Sequence, residues 1–77
     1  MVIPFTVGNE NLLTLTEASQ DKVVIGDGGD VDFQVKSNGD DNVIRVIGSS
    51  DNVGIGTSVP TKKLTVAGDI SASGNLH

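Results

Sequence analysis

Short runs of apolar residues, several of them alternating with polar ones, recur along the chain about every ten positions. They are VIPFTV (2–7), LLTLT (12–16), KVVIG (22–26), VDFQV (31–35), VIRVI (43–47), NVGIG (52–56), KLTVA (63–67) and a last short one, DIS (69–71). Gly, Asn, Asp, Ser or Pro fills each gap, so the pattern predicts many short antiparallel or wound strands rather than strand–helix–strand units. The window LTEASQDK (15–22) has only Leu15 and Ala18 as apolar residues, too few for a helical stripe, and reads as a turn. SNGD (37–40) carries the Asn-Gly pair of a type I′ turn.

The runs also repeat. DKVVIGDG (21–28) resembles DNVGIGTS (51–58) at an offset of 30, and DFQV (32–35) resembles KLTV (63–66) at an offset of 31. Phe33 then corresponds to Leu64 and Val35 to Val66, while PFTVG (4–8) and the pair LTL (13–15) and IRV (44–46) extend the likeness. The chain reads as one fibrous β module, residues 1–77, made of a partial unit (1–20) and two fuller ones (21–50 and 51–77). Repetition at this period points to stacked or wound units that bury their apolar stripe against neighbours. Gly26, Gly54 and Gly56 fall where a strand ends or bends, and glycine there permits positive φ or close backbone approach. Pro60 fixes the turn between NVGIG and KLTVA.

Composition supports strands and limits the core. Val, Ile and Thr supply 23 of 77 residues, and Phe5 and Phe33 are the only aromatics. Stiff β-branched side chains suit a pleated surface. A chain this short with mostly small apolar side chains has little to bury. It has no cysteine to staple it and no Cys/His cluster for zinc, so oligomerisation is the remaining remedy. The net charge is −5, and the five basic residues, Lys22, Lys36, Arg45, Lys62 and Lys63, are dispersed. Nucleic acid, which requires clustered positive charge, is not an expected partner. Nor is a membrane, since no apolar run approaches a span and no signal peptide opens the sequence.

Candidate chemistry is sparse, and no catalytic, cofactor-binding or metal-ligating residue is assigned. GDGGDVD (26–32) places Asp27, Asp30 and Asp32 among glycines, but it lacks calcium-loop spacing and a closing Glu, and reads as a solvated turn. Asp40 and Asp41 are adjacent turn formers. GIGTS (54–58) lacks the Lys-Ser/Thr of a phosphate loop. His77, the one histidine, has no Ser or Cys context for a nucleophile.

The segment NVGIGTSVPTKKLTVAGDISASGNL (52–76) resembles a stretch recurrent in tail fibres and tail spikes of tailed phages, often shortly before a C-terminal intramolecular chaperone domain. The matching positions are Asn52 to Thr57, Val59-Pro60, Lys63-Leu64, Val66, Gly68 and Ile70, about a third of the chain. This resemblance implies an all-β, intertwined homotrimer, a β-helix or β-prism shaft joined to adjoining fibre or tail segments of a virion. It implies further that Val23, Ile25, Phe33, Val35, Ile44, Val46, Val53, Ile55, Leu64 and Val66 line the trimer interior. Gly26, Gly54, Gly56 and Pro60 would then let the backbones converge. Gln34, Arg45, Lys62, Lys63, Thr65 and the aspartates would face solvent. Three alternatives stay open: a monomeric sandwich with the same core, a receptor- or glycan-binding module of a phage or adhesin, and a depolymerase fragment.

Overall fold

In the computed structural model, which describes residues 1–76, the chain is all-β, with seven strands and no helix among the described residues. They are β1 (Val2–Val7), β2 (Glu10–Thr16), β3 (Lys22–Ile25), β4 (Phe33–Val35), β5 (Ile44–Ile47), β6 (Asn52–Ile55) and β7 (Leu64–Val66). Each of the first seven apolar runs carries one strand. The eighth, DIS (69–71), carries none and lies in the irregular, exposed segment 67–76. With Ile70 as its one apolar residue, that run offers too little burial to offset the entropy of ordering it.

The strands form two sheets, and no broad strand-to-strand contact joins one to the other. The first has the order β1-β2-β3 and the second β4-β5-β6-β7. The first is an antiparallel meander. Its β1–β2 hairpin closes through Gly8-Asn9, with Gly8 at φ 64°. A positive φ at the first central residue alone is the Gly-X pattern of type II′, which matches the twist of paired strands. A register shift between Phe5 and Thr6 marks a bulge that leaves Leu12 between the partners Leu13 and Asn11.

The Asn-Gly pair at 38–39 does not form the expected type I′ turn, because neither residue takes a positive φ. Instead an eight-residue loop, 36–43, joins β4 to β5. It is closed by Val43 N donating to Val35 O at 3.0 Å and Ser37 N to Asp40 O at 2.8 Å. The local Asn-Gly preference yields here to the carboxylate of Asp40, whose Oδ1 accepts from Asn42 N at 2.8 Å.

In the second sheet β4–β5 and β5–β6 are antiparallel, whereas β6 and β7 run parallel, with Val53 opposite Leu64 and Ile55 opposite Val66. Parallel neighbours usually need a dozen or more connecting residues; here residues 56–63, eight in all, suffice. Gly54 makes that possible. A Cβ on Gly54 would stand 2.6 Å from Thr57 O and 3.6 Å from Pro60 Cβ, so the connection lies directly on the strand it has just left.

Among the described residues no hydrophobic side chain is buried. The chain presents 5978 Å² of accessible surface, against about 4,400 Å² for a closed fold of its mass. Its radius of gyration is 15.1 Å, against about 11.5 Å for a compact domain of this length. A single copy therefore has sheets but no interior.

Candidate functional site

Strand register decides which residues share a face, because side chains alternate and direct partners point the same way. In the second sheet one row reads Phe33, Val46, Val53, Leu64, and the next reads Val35, Ile44, Ile55, Val66. The eight residues of this region expected to line an interior thus lie together on one face, and none is buried; Leu64 is 61% exposed. The other two, Val23 and Ile25, lie on the first sheet, in rows with Ile3 and Leu15 and with Phe5 and Leu13 respectively.

The opposite face of the second sheet reads Gln34, Arg45, Gly54, Thr65, and the chain's own loops anchor on it. Gln34 Nε2 donates to Asp41 O at 2.8 Å, holding the β4–β5 loop. Arg45 donates to Asn42 Oδ1 at 2.9 Å and to Asp32 Oδ2 at 3.0 Å. Thr65 Oγ1 accepts from Thr61 N and Lys62 N, each at 3.1 Å, and Asn52 Nδ2 donates to Pro60 O at 3.2 Å, so the β6–β7 connection is tied down from both strands. Pro60, within that connection, and Gly54, on the strand beneath it, are buried.

These contacts correct the expectation that Arg45 and Thr65 simply face solvent, since both are half-buried, while Gln34 is exposed as expected. The Arg45 side chain is only 21% exposed. Asp32 is likewise engaged: its Oδ1 accepts from Gly48 N at 2.9 Å. That bond, followed by the hydrogen bond and charge of Arg45, holds the Asp32 carboxyl below its ordinary value. Gly48 is a close-approach position of its own, since a Cβ there would fall 2.5 Å from Val31 N. Sequence reading missed this junction. The one available signal was the single charge inside VIRVI, a position that needs a partner when half-buried.

Gly26 and Gly56, which follow Val-x-Ile in the two matching units, both take positive φ, 105° and 80°. Their amides point back into the sheets: Gly26 N donates to Leu12 O and Gly56 N to Asn42 O, each at 2.8 Å. In the acidic loop, Asp27 Oδ1 accepts from Gly29 N at 2.9 Å, an Asx turn. Among the described residues no three His, Cys, Asp or Glu side chains converge as metal ligands. His77 lies outside the described residues.

The arrangement inverts that of an ordinary half-buried sheet, which covers its apolar face and leaves its polar face to water. Here the chain's loops anchor on the polar face, while on the apolar face Ile44, Ile55 and Leu64 are exposed and the other five residues are half-buried. Such a surface can associate with another apolar surface. Comparison with protein families, with curated proteins and with solved structures returned no match.

Proposed function

We propose that this chain is a structural, non-catalytic shaft segment of a homotrimeric tail fibre or tail spike in a phage virion, a rigid connector between adjoining appendage segments. The observation that carries this reading is the apolar face of the second sheet, whose two four-residue rows hold no buried residue and expose Ile44, Ile55 and Leu64, while the chain's loops anchor on the reverse. Contiguous exposed apolar surface of this kind marks an association site. The surface surplus over a closed fold, about 1,600 Å² with the open segment 67–76 included, exceeds the roughly 800 Å² that one neighbour removes in a standard interface. Two neighbours per chain, as a threefold assembly provides, accommodate it. The resemblance of 52–76 to fibre and spike segments supports the virion setting.

Light scattering during size exclusion tests the proposal. A mass near three chains of 7.9 kDa, unchanged by a chelator, is expected. A monomer that melts cooperatively would overturn it.

A further inference from the structure

We propose that Asn38 is a site of spontaneous, backbone-assisted modification: the amide nitrogen of Gly39 displaces its side-chain ammonia, and water then leaves aspartate or isoaspartate in the β4–β5 loop. The inference stands apart from the shaft reading and needs no partner but solvent. The chain has six asparagines, at 9, 11, 38, 42, 52 and 75, and Asn38 alone precedes a glycine. The other five precede Glu10, Leu12, Val43, Val53 and Leu76, whose side chains crowd the attacking nitrogen, the β-branched valines most of all.

The fold separates the asparagines further. Asn38 and Gly39 are exposed and lie outside any strand. Amides around them are engaged: Ser37 N donates to Asp40 O at 2.8 Å, Asn42 N to Asp40 Oδ1 at 2.8 Å and Val43 N to Val35 O at 3.0 Å. Among the described residues Gly39 N donates to no acceptor, and the Asn38 side chain makes no hydrogen bond. A Cβ built on Gly39 meets nothing within 4 Å, so the loop has room to swing that nitrogen onto Asn38 Cγ. Asn42 and Asn52 are the opposite case. Asn42 Oδ1 accepts from Arg45 and Asn52 Nδ2 donates to Pro60 O, while the nitrogens that follow them, Val43 N and Val53 N, donate to Val35 O and Lys63 O. Attack there would break hydrogen bonds at both reacting groups.

The reaction balances with water alone. Gly39 N gives its proton to solvent hydroxide and bonds to Asn38 Cγ; the Cγ–Nδ2 bond breaks, and Nδ2 departs as ammonia with a proton from water. The cyclic succinimide that results is opened by one further water. Cleavage at Cγ restores the ordinary backbone with an aspartate, whereas cleavage at the main-chain carbonyl gives isoaspartate, whose backbone runs through Cβ. Nothing is oxidised or reduced. Either product adds a carboxylate near Asp40 and Asp41, in a chain already at −5. Isoaspartate also lengthens the path between Ser37 N and Asp40 O, a pair that closes the loop.

Incubation of the full chain in neutral and in mildly alkaline buffer, followed by peptide mass mapping, tests the proposal. Cleavage after Lys36 and Arg45 places Asn38 and its control Asn42 in one peptide, 37–45. Replacement of NH by O is expected at Asn38 at least about tenfold faster than at Asn42 or the exposed Asn75. The product should be a mixture of aspartate and isoaspartate, formed faster at the higher pH. Gly39→Ala, whose methyl meets no neighbour, should slow conversion at least about tenfold while the sheet stays folded. Equal rates at the three asparagines, aspartate without isoaspartate, or an unaffected Gly39→Ala variant would overturn the proposal. So would conversion at least about tenfold slower in the folded chain than in urea, since the loop would then shield the pair.

Discussion

The two sheets begin from nearly the same local text and end with different topologies. Residues 21–28 and 51–58 share Asp-x-Val-x-Ile-Gly, each forms a four-residue strand, and each strand ends at a glycine with positive φ. Yet β3 pairs antiparallel with the strand before it and with nothing after it, whereas β6 pairs parallel with β7 as well. The difference sits at one strand position and in the connection that follows. Val24 occupies the place that Gly54 holds in the later unit, and the crossover that lies on Gly54 leaves no room for a Cβ. The loop after β3 also lacks a counterpart of Pro60 and runs on, through Gly28 at φ 92°, to the next sheet. The similar text gives similar strands, while Gly54 together with the connection that lies on it decides how the later one pairs.

The largest effect should come from making the two units alike in the wrong direction. Gly54→Val forces a side chain against Thr57 O and should destabilise the second sheet by about 3 kcal/mol or more. Hydrogen exchange reads it: protection at Val53 N and Ala67 N, whose acceptors are Lys63 O and Ile55 O, should vanish while Gly26 N stays protected. Retained protection at Val53 and Ala67 would show that the crossover tolerates a Cβ and that the comparison is mistaken.

Next in size is Ile55→Lys, which places a charge in the apolar rows of the second sheet. Association measured by sedimentation should weaken at least about tenfold, since each 1.4 kcal/mol of lost burial is a decade. Ser49→Lys, in the exposed β5–β6 turn, should change nothing. Equal weakening by both would point to general charge rather than a face.

A smaller effect belongs to Asp32, read as acid sensitivity. Its native value lies below the ordinary 3.8, so its contribution is fully present above 3.8 and is lost as pH falls through the lower native value. Melting of the second sheet should therefore steepen in its decline below about pH 4, and Asp32→Asn should flatten that decline while lowering stability at neutral pH. An unchanged acid limb in the variant would remove Arg45–Asp32–Gly48 from the account.

The smallest change is the reverse swap. Val24→Gly should cost the first sheet about 1 kcal/mol through added unfolded-state freedom and should create no crossover, because the rest of the connection is missing. Backbone chemical shifts that moved β3 onto β4 in parallel would mean position 24 alone sets the topology.

Strand positions were legible because β-branched density and turn residues act locally. Pairing was not, since Val23-Ile25 and Val53-Ile55 look alike until it is known on which side the chain returns. The faces of the second sheet were readable from alternation in VDFQV, VIRVI and KLTVA. Those of the first were only half so: VIPFTV is apolar at nearly every position, and its register with LLTLT depends on the Gly8-Asn9 turn and the bulge at Leu12. The polar anchors were hidden for a simpler reason, as Arg45 lies 13 residues from Asp32 and Gln34 reaches a backbone oxygen.

The direction of β7 has a mechanical consequence. When tension is applied between the start of β1 and the end of β2, which lie side by side, the hairpin opens like a zip, one rung at a time. Between the start of β6 and the end of β7 the same tension runs along both strands in opposite senses and loads the rungs together. Of these two pairs, the parallel one is the better placed to resist tension.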